Sequence, residues 1–320
     1  MSILNLANDI INGYRISDKD DLSIFSSCNI CDLTKGADLI RTHYNKNTVE
    51  LCTILNAKSG KCSENCKYCA QSAHYNTFCE VYPFMDCDAI VAKAMDNYNE
   101  GVNHFALVTA GRALSGSDFE KCLDAFKTIH SKCPGLKLCA SLGLLSKEQY
   151  SLLKDAGVTR IHNNIETAPS FFESVCTSHS QKDKFEAISN AKMAGLDVCS
   201  GGIIGMGESF NQRLEMALTL SKMHIMSVPI NVLIPIKGTP FENLPRLSED
   251  EILRTIASFK FINPEANIRL AGGRILLNNA GKEAFCSGAS ASITGNMLTT
   301  SGYTIKSDYQ MLNSLDRKVI

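Results

Sequence analysis

The chain has 320 residues, of which 44% are hydrophobic and 20% charged, and a formal net charge of −1 at pH 7. That balance suits a globular protein with a sizeable core and gives no electrostatic footing for nucleic acid or an acidic membrane surface. No stretch of about 18 apolar residues suggests a membrane span, and the opening MSILNLANDIINGYRISDKDDL lacks the basic start and apolar run of a signal peptide. The expectation is a cytoplasmic enzyme. Fourteen cysteines are many for this length, but they are scattered, without the regular spacing of a small disulfide scaffold. Reduced thiols, some of them metal ligands, are the better reading.

In chain order, residues 1–47 read as helices capping the domain that follows. From residue 48 short apolar runs alternate with longer amphipathic segments. The predicted strands are TVELCTILNA (48–57), HFALVTA (104–110), LKLCASL (136–142), TRIHNNI (159–165), LDVCSGG (196–202), VPINVLI (228–234), NIRLAGG (267–273) and SASITG (290–295). Several are apolar almost throughout, as strands covered on both faces are. Between them, Ser117 with Glu120, Ser146 with Gln149 and Ser248 with Glu251 fit helix-starting capping boxes. Gly157 and Gly195 stand where helices should stop and turn left-handed. Eight strand–helix alternations predict an α/β fold, a (β/α)8 TIM-type barrel over 48–301 with N-terminal capping helices and a tail at 302–320. No G-x-G-x-x-G follows a strand to support a doubly wound sheet instead.

The barrel reading places chemistry at one mouth, because side chains at the C-terminal strand ends converge there. Directly after the first strand comes CSENCKYC, with Cys62, Cys66 and Cys69 at spacings of four and three. A structural zinc site closes with four protein ligands, and Cys79 and His74 are oddly spaced for a fourth. Three thiolates leave one corner of a 4Fe-4S cubane open to an outside ligand. A zinc loop or a non-catalytic redox thiol cluster is the competing reading.

The sequence resembles the biotin synthase family of radical S-adenosylmethionine (SAM) enzymes from about residue 50 to 302. The resemblance rests on NAKSGKCSENCKYCAQSAHY (56–75), HNNIET (162–167), VCSGGIIGMGE (198–208), VPINVLIPIKGTPFE (228–242) and IRLAGGR (268–274). It implies a 4Fe-4S cluster on Cys62, Cys66 and Cys69 that binds SAM at its open iron. SAM would be cleaved to a 5′-deoxyadenosyl radical that takes hydrogen from dethiobiotin. Sulfur from an auxiliary iron–sulfur cluster, 2Fe-2S in the family, would then close the ring of biotin. A reductant such as flavodoxin or ferredoxin and a homodimer follow from the same resemblance.

The resemblance also assigns residues. Tyr68 lies near the adenine of SAM, and Gly201, Gly202, Gly205 and Gly207 mark close backbone approach to it, or else are ordinary loop glycines. Asn164 and Glu166 serve the ribose and substrate, and Lys184 the SAM carboxylate. His162, Asn164 and Asn231 face the substrate, while Lys237 and Thr239 belong to a recognisable block without a role. For the auxiliary cluster, Cys139, Cys199 and Arg269 match the family pattern, but the second-strand position is Ala106, which cannot ligate iron. Cys286 is the first substitute, with Cys176 and Cys79 behind it; a cluster of another type, or none, is also open. Cys122 and Cys133, and with them Cys28, Cys31, Cys52 and Cys87, read as structural. A radical-SAM enzyme that does not insert sulfur is the alternative function.

Overall fold

The computed structural model describes residues 2–295 and 302–320. Its centre is a closed parallel barrel. The strands in chain order are β1 (Thr48–Lys58), β2 (His104–Thr109), β3 (Lys137–Ser141), β4 (Val158–His162), β5 (Asp197–Cys199), β6 (Gly202–Ile204), β7 (Ser227–Val232), β8 (Asn267–Leu270) and β9 (Ala289–Ile293). Each pairs in parallel with its neighbour, and β9 pairs back to β1 through Glu50↔Ala291 and Cys52↔Ile293. β5 and β6 are two halves of one interrupted strand, both borne by β7, so the barrel has eight positions, as expected. Outward residues such as Val49, Leu51, Phe105 and Leu138 are fully buried under the surrounding helices, which is why these strands read as unbroken apolar runs.

Local chemistry ends the elements where the sequence suggests. Ser146 with Gln149 and Ser248 with Glu251 form complete capping boxes, and Ser180 with Asp183 and Ser209 with Gln212 form two more. Ser117 does not cap: its helix spans Gly116–Lys132 behind Ser115, which makes no side-chain cap bond. Gly157 and Gly195 turn left-handed at φ +95° and +74°.

Residues before β1 form helices Ile3–Ile11, Ile24–Ser27 and Ile30–Asn45. The last packs on helix Glu249–Ile262 so closely that a Cβ on Gly36 would stand 2.7 Å from the Phe261 ring. The segment from 302 is more than a loose tail: helix Ile305–Asn313 is followed by β10 (Lys318–Val319), which pairs in parallel with the start of β1. Buried Arg274 holds Asp308 of that helix by two bonds of 2.6 and 3.0 Å. The expected division at 301 lies outside the described residues. Among the described residues no helix is long and apolar enough to cross a membrane.

Candidate active site

β1 delivers the chain to the mouth, and the loop after it carries the three-cysteine motif. Backbone bonds fix this loop: Cys62 N donates to Gln71 O at 2.9 Å, Ala73 N to Cys62 O at 2.8 Å and Cys69 N to Cys66 O at 3.0 Å. The Gln71 side chain ties it to the strand end, accepting from Ser59 Oγ and Gly60 N at 3.1 and 3.2 Å. The IKGTP block braces it from outside, with Gly238 so near Asn76 that a Cβ would lie 2.1 Å from the Asn76 carbonyl oxygen. That contact gives the Lys237–Thr239 block a structural reason.

Cys62, Cys66 and Cys69 are all half-buried free thiols. Burial and the neighbouring Cys62 push Cys69 up to about 11; a hydrogen bond to Cys176, then burial and the neighbouring charges, raise Cys66. Cys66 and Cys69, raised in this way, keep their protons until a cationic iron core displaces them and binds the thiolates. The loop thus fits an iron–sulfur cluster.

Tyr68 and Cys69 form the upper wall of a cavity of about 290 Å³ that runs down the barrel axis. Its floor brings together residues far apart in sequence. Cys139 and Ala106 are register partners on β3 and β2, and Cys52 on β1 packs with both. Cys199 closes the circle from β5, with Arg160 from β4 and Arg269 from β8. Cys199 accepts from Ser227 Oγ at 3.2 Å. Burial would raise its thiol, but hydrogen bonding and charge from His162, then Arg269, bring it down to about 6. Cys139 and Cys52 pack together, and the interaction between their thiols, with burial, raises Cys139, while it lowers Cys52 despite burial.

Beneath them lies Glu50, a buried carboxylate that accepts from Arg269 at 2.6 Å and from Arg160 at 3.0 Å. Burial would raise Glu50, but the charges of Arg269 and then Arg160 hold it at about 2. Arg269 stays fully protonated in return, its contacts with Cys199, Cys52 and Glu50 outweighing burial. A protonated guanidinium has no lone pair to give a metal. Three buried thiols beside the buried Arg269 and the partly buried Arg160 fit an anionic iron–sulfur cluster.

The readings of four cysteines are corrected. Cys286 precedes β9, at the opposite end of the barrel from the mouth, and lies beside Cys31, Asp38 and Leu39 in a surface hollow. Cys176 and Cys79 also miss the floor: Cys176 sits against Cys66 at 3.6 Å, and Cys79 beside Ser59 Oγ at 3.6 Å. The thiol that does reach the floor is Cys52, which the sequence reading had left as structural. On β1 it shares the inward face with Glu50 and Ile54, and in VELCTIL only Glu50 marked that face. Glu50 and Arg160 were missed as well.

The other expected residues gather along the cavity or its rim. His162 and Asn231 line the cavity, and Asn231 bridges strands by donating to Gly202 O at 3.1 Å and accepting from Gly272 N at 2.9 Å. Lys184 Nζ lies 3.3 Å from Glu166 Oε1, and Glu166 adds to the burial that raises Tyr68, so the three form one rim cluster. Asn164 Oδ1 accepts from Gly201 N at 3.0 Å. Gly201 and Gly202 are accounted for by the protein's own backbone. A Cβ on Gly201 would be 1.9 Å from Pro229 O, and one on Gly202 would be 2.3 Å from Glu166 O. Gly205 turns at φ +89° and its amide donates to Glu208 at 2.8 Å.

A closed parallel barrel with three thiols on the loop after its first strand defines a radical SAM enzyme. Residues 57–220 match the Radical SAM superfamily, and residues 229–318 match the Biotin and Thiamin Synthesis associated domain. Among solved structures, methylornithine synthase superposes with a TM-score of 0.85 over 98% of this chain and 97% of its own, at 19% identity. An [FeFe]-hydrogenase maturase superposes with 0.82 over 99% and 75%, at 15% identity; both likenesses concern the fold. Biotin synthase of Alkaliphilus metalliredigens is 50% identical over 98% of this chain and 99% of its own length. That of Clostridium beijerinckii is 51% identical over 97% and 98%. The chain belongs to the biotin synthase family.

Proposed function

We propose that this chain makes biotin from dethiobiotin by radical sulfur insertion, with Cys62, Cys66 and Cys69 holding the SAM-binding 4Fe-4S cluster and Cys52, Cys139 and Cys199 holding the auxiliary one. The observation that carries this division is the single cavity joining Cys69 and Tyr68 at the mouth to the three thiols on the floor. When bound, the upper cluster with SAM supplies a carbon radical able to take hydrogen from an unactivated carbon, and the lower cluster supplies sulfur. The chain's own residues bind and orient what lies between. His162 and Asn231 offer polar groups to the ureido ring in a largely apolar wall, and Asn231 is fixed for this by its two backbone partners. Tyr68, Asn164, Glu166 and Lys184, with the turn at Gly201–Gly205, receive SAM. Lys184 supplies a positive charge to its carboxylate but not the bidentate fork of an arginine. Arg269 acts as counter-charge to the lower cluster, held by Glu50, and not as an iron ligand. Because the mouth is walled by the cysteine loop, water is kept from a reactive radical.

A cytoplasmic setting, a flavodoxin- or ferredoxin-type donor and a homodimer complete the proposal, on the family resemblance. The deciding experiment is iron and acid-labile sulfide in the Cys62→Ala/Cys66→Ala/Cys69→Ala variant, purified without oxygen. Residual cluster is expected; a folded variant without iron would leave a radical-SAM enzyme that does not insert sulfur. The wild-type chain should cleave SAM faster when dethiobiotin is added.

A further inference from the structure

Cys66 has a thiol neighbour that the proposed reaction does not use. Its Sγ lies 3.6 Å from the Sγ of Cys176, 110 residues further along the chain and just after helix Phe172–Val175. Cys176 is 3% exposed while Cys66 is half-buried, so Cys66 is the thiol that a small reagent meets first.

The two segments are stitched together on both sides of this pair. Lys67 N, next to Cys66, donates at 2.9 Å to the carbonyl oxygen of Val175, next to Cys176. On the other side, Asn65 Oδ1 accepts from the amides of Thr177 and Ser178, both at 3.0 Å. Asn65 N donates to Ser178 Oγ at 3.0 Å, and Asn65 Nδ2 to Thr177 Oγ1 at 2.7 Å. Residues 65–67 and 175–178 therefore form one bonded unit with the two thiols in its middle.

A disulfide requires side chains that point toward one another and sulfurs about 2.0 Å apart. The first condition is met by the contact itself, and the second asks the sulfurs to close by about 1.6 Å. The loop triplet is built differently. Among the described residues, the ligand atoms of Cys66, Cys176 and His179 all lie within 4.8 Å of one another, and those of Cys62, Cys66 and Cys69 do not.

We propose that Cys66 and Cys176 form a reversible disulfide in the cluster-free chain, by exchange with a low-molecular-weight disulfide, RSSR. The Cys66 thiolate attacks one sulfur of RSSR, forms a Cys66–S–S–R bond and releases RS⁻. The Cys176 thiolate then attacks the Cys66 sulfur, closes the Cys66–Cys176 bond and releases the second RS⁻. Two thiols of the chain are oxidised, the reagent is reduced to two RSH, and the two protons pass from the chain's thiols to the leaving groups. Cys66 held in this bond has no thiolate for iron, so the bond and the loop cluster exclude one another. It is also kept from oxidation to sulfinic acid, which thiols do not reverse. The bond stands on the geometry alone, and its exclusion of the cluster rests on the function proposed above.

The test treats cluster-free wild-type chain with glutathione disulfide, without oxygen, and maps its thiols after trypsin cleavage. Cys66 then lies in peptide 62–67, and Cys176 is the single cysteine of peptide 161–182. These peptides should appear joined, with fragmentation placing the link at Cys66, and should separate again in dithiothreitol. Cys176→Ser should instead carry glutathione on Cys66, with circular dichroism unchanged. Wild-type chain loaded with its loop cluster should give no joined peptide. A link within the loop that leaves Cys176 free overturns the proposal, as does wild-type chain that keeps glutathione on Cys66. Joined peptide from chain that retains its full iron overturns the exclusion. Joined peptide from a chain that never takes up iron on the loop upholds the bond and counts against the proposed function instead.

Discussion

Glu50→Gln tests the electrostatics beneath the cavity floor. The carboxyl is held at about 2, against 4.5 for the free side chain, because Arg269 and Arg160 outweigh its burial. At about 1.4 kcal/mol per tenfold, that gap corresponds to roughly 3 kcal/mol. Loss of the partner to Arg269 and Arg160 is the same interaction seen from the other side, so it is not added to that figure. Glu50→Gln should therefore unfold in urea with about 3 kcal/mol less stability when the protein is cluster-free. Since the folded value is below the unfolded one, the Glu50 contribution is complete above about pH 5 and fades as pH falls toward 2. The gap between wild type and variant should close in that direction. Protein carrying the auxiliary cluster should tolerate the change better, because the cluster's negative charge takes over part of the pairing with Arg269. Equal stability of variant and wild type at pH 7, cluster-free, would refute the reasoning, as would a gap that widens in acid.

In the Cys62→Ala/Cys66→Ala/Cys69→Ala background, Cys52→Ala should remove most of the remaining iron while Cys286→Ala retains it, read by iron analysis and visible absorbance. Gly201→Ala should destabilise by about 1–3 kcal/mol or more in thermal unfolding, since its Cβ would meet the Pro229 carbonyl oxygen at 1.9 Å. Gly207→Ala, with nothing nearer than the Phe171 ring at 3.9 Å, should lose only the roughly 1–2 kcal/mol of its left-handed backbone. Lys184→Met should raise the SAM concentration needed for half-maximal cleavage about tenfold while iron content stays at the wild-type level.

What the sequence made legible is what local chemistry decides. Parallel strands buried on both faces show as apolar runs, and Ser146–Gln149 and Ser248–Glu251 announce helix starts because each pair satisfies backbone amides by itself. The loop triplet was readable because all three ligands fall within eight residues. Cys52 was not, for the same reason that β1 was: with helices outside and a packed barrel inside, neither parity of VELCTIL is polar enough to mark the inner face. Only Glu50 breaks the pattern, and its meaning depends on Arg160 and Arg269, 110 and 219 residues away. Cys286 misled because nearness to a strand in sequence says nothing of which end of the barrel a residue occupies. Cys176 and His179 lie more than 100 residues from Cys66 and meet it only through the fold.

The position of Cys52 makes sense of Ala106 through the barrel's own layering. With β5 and β6 counted as one strand, Cys52, Cys139, Cys199 and Arg269 stand on the first, third, fifth and seventh strands. Side chains from alternate strands fill one layer of such a barrel, so three thiols and a guanidinium form a single tier. A cysteine at position 106, on the second strand, would belong to the other set. Moving the third thiol to the first strand therefore changes the shape of the donor set while keeping its count. Cys199 and Cys52, with Glu50 below, keep Arg269 protonated, so this tier offers sulfur donors on three sides and only charge on the fourth. The loop above repeats that arithmetic with Cys62, Cys66 and Cys69. In both places the protein supplies three thiolates and leaves a coordination position for a ligand it does not provide. On the proposed function that ligand is SAM at the mouth and a sulfide available for transfer on the floor, which would show as acid-labile sulfide in excess over iron once the loop cysteines are removed.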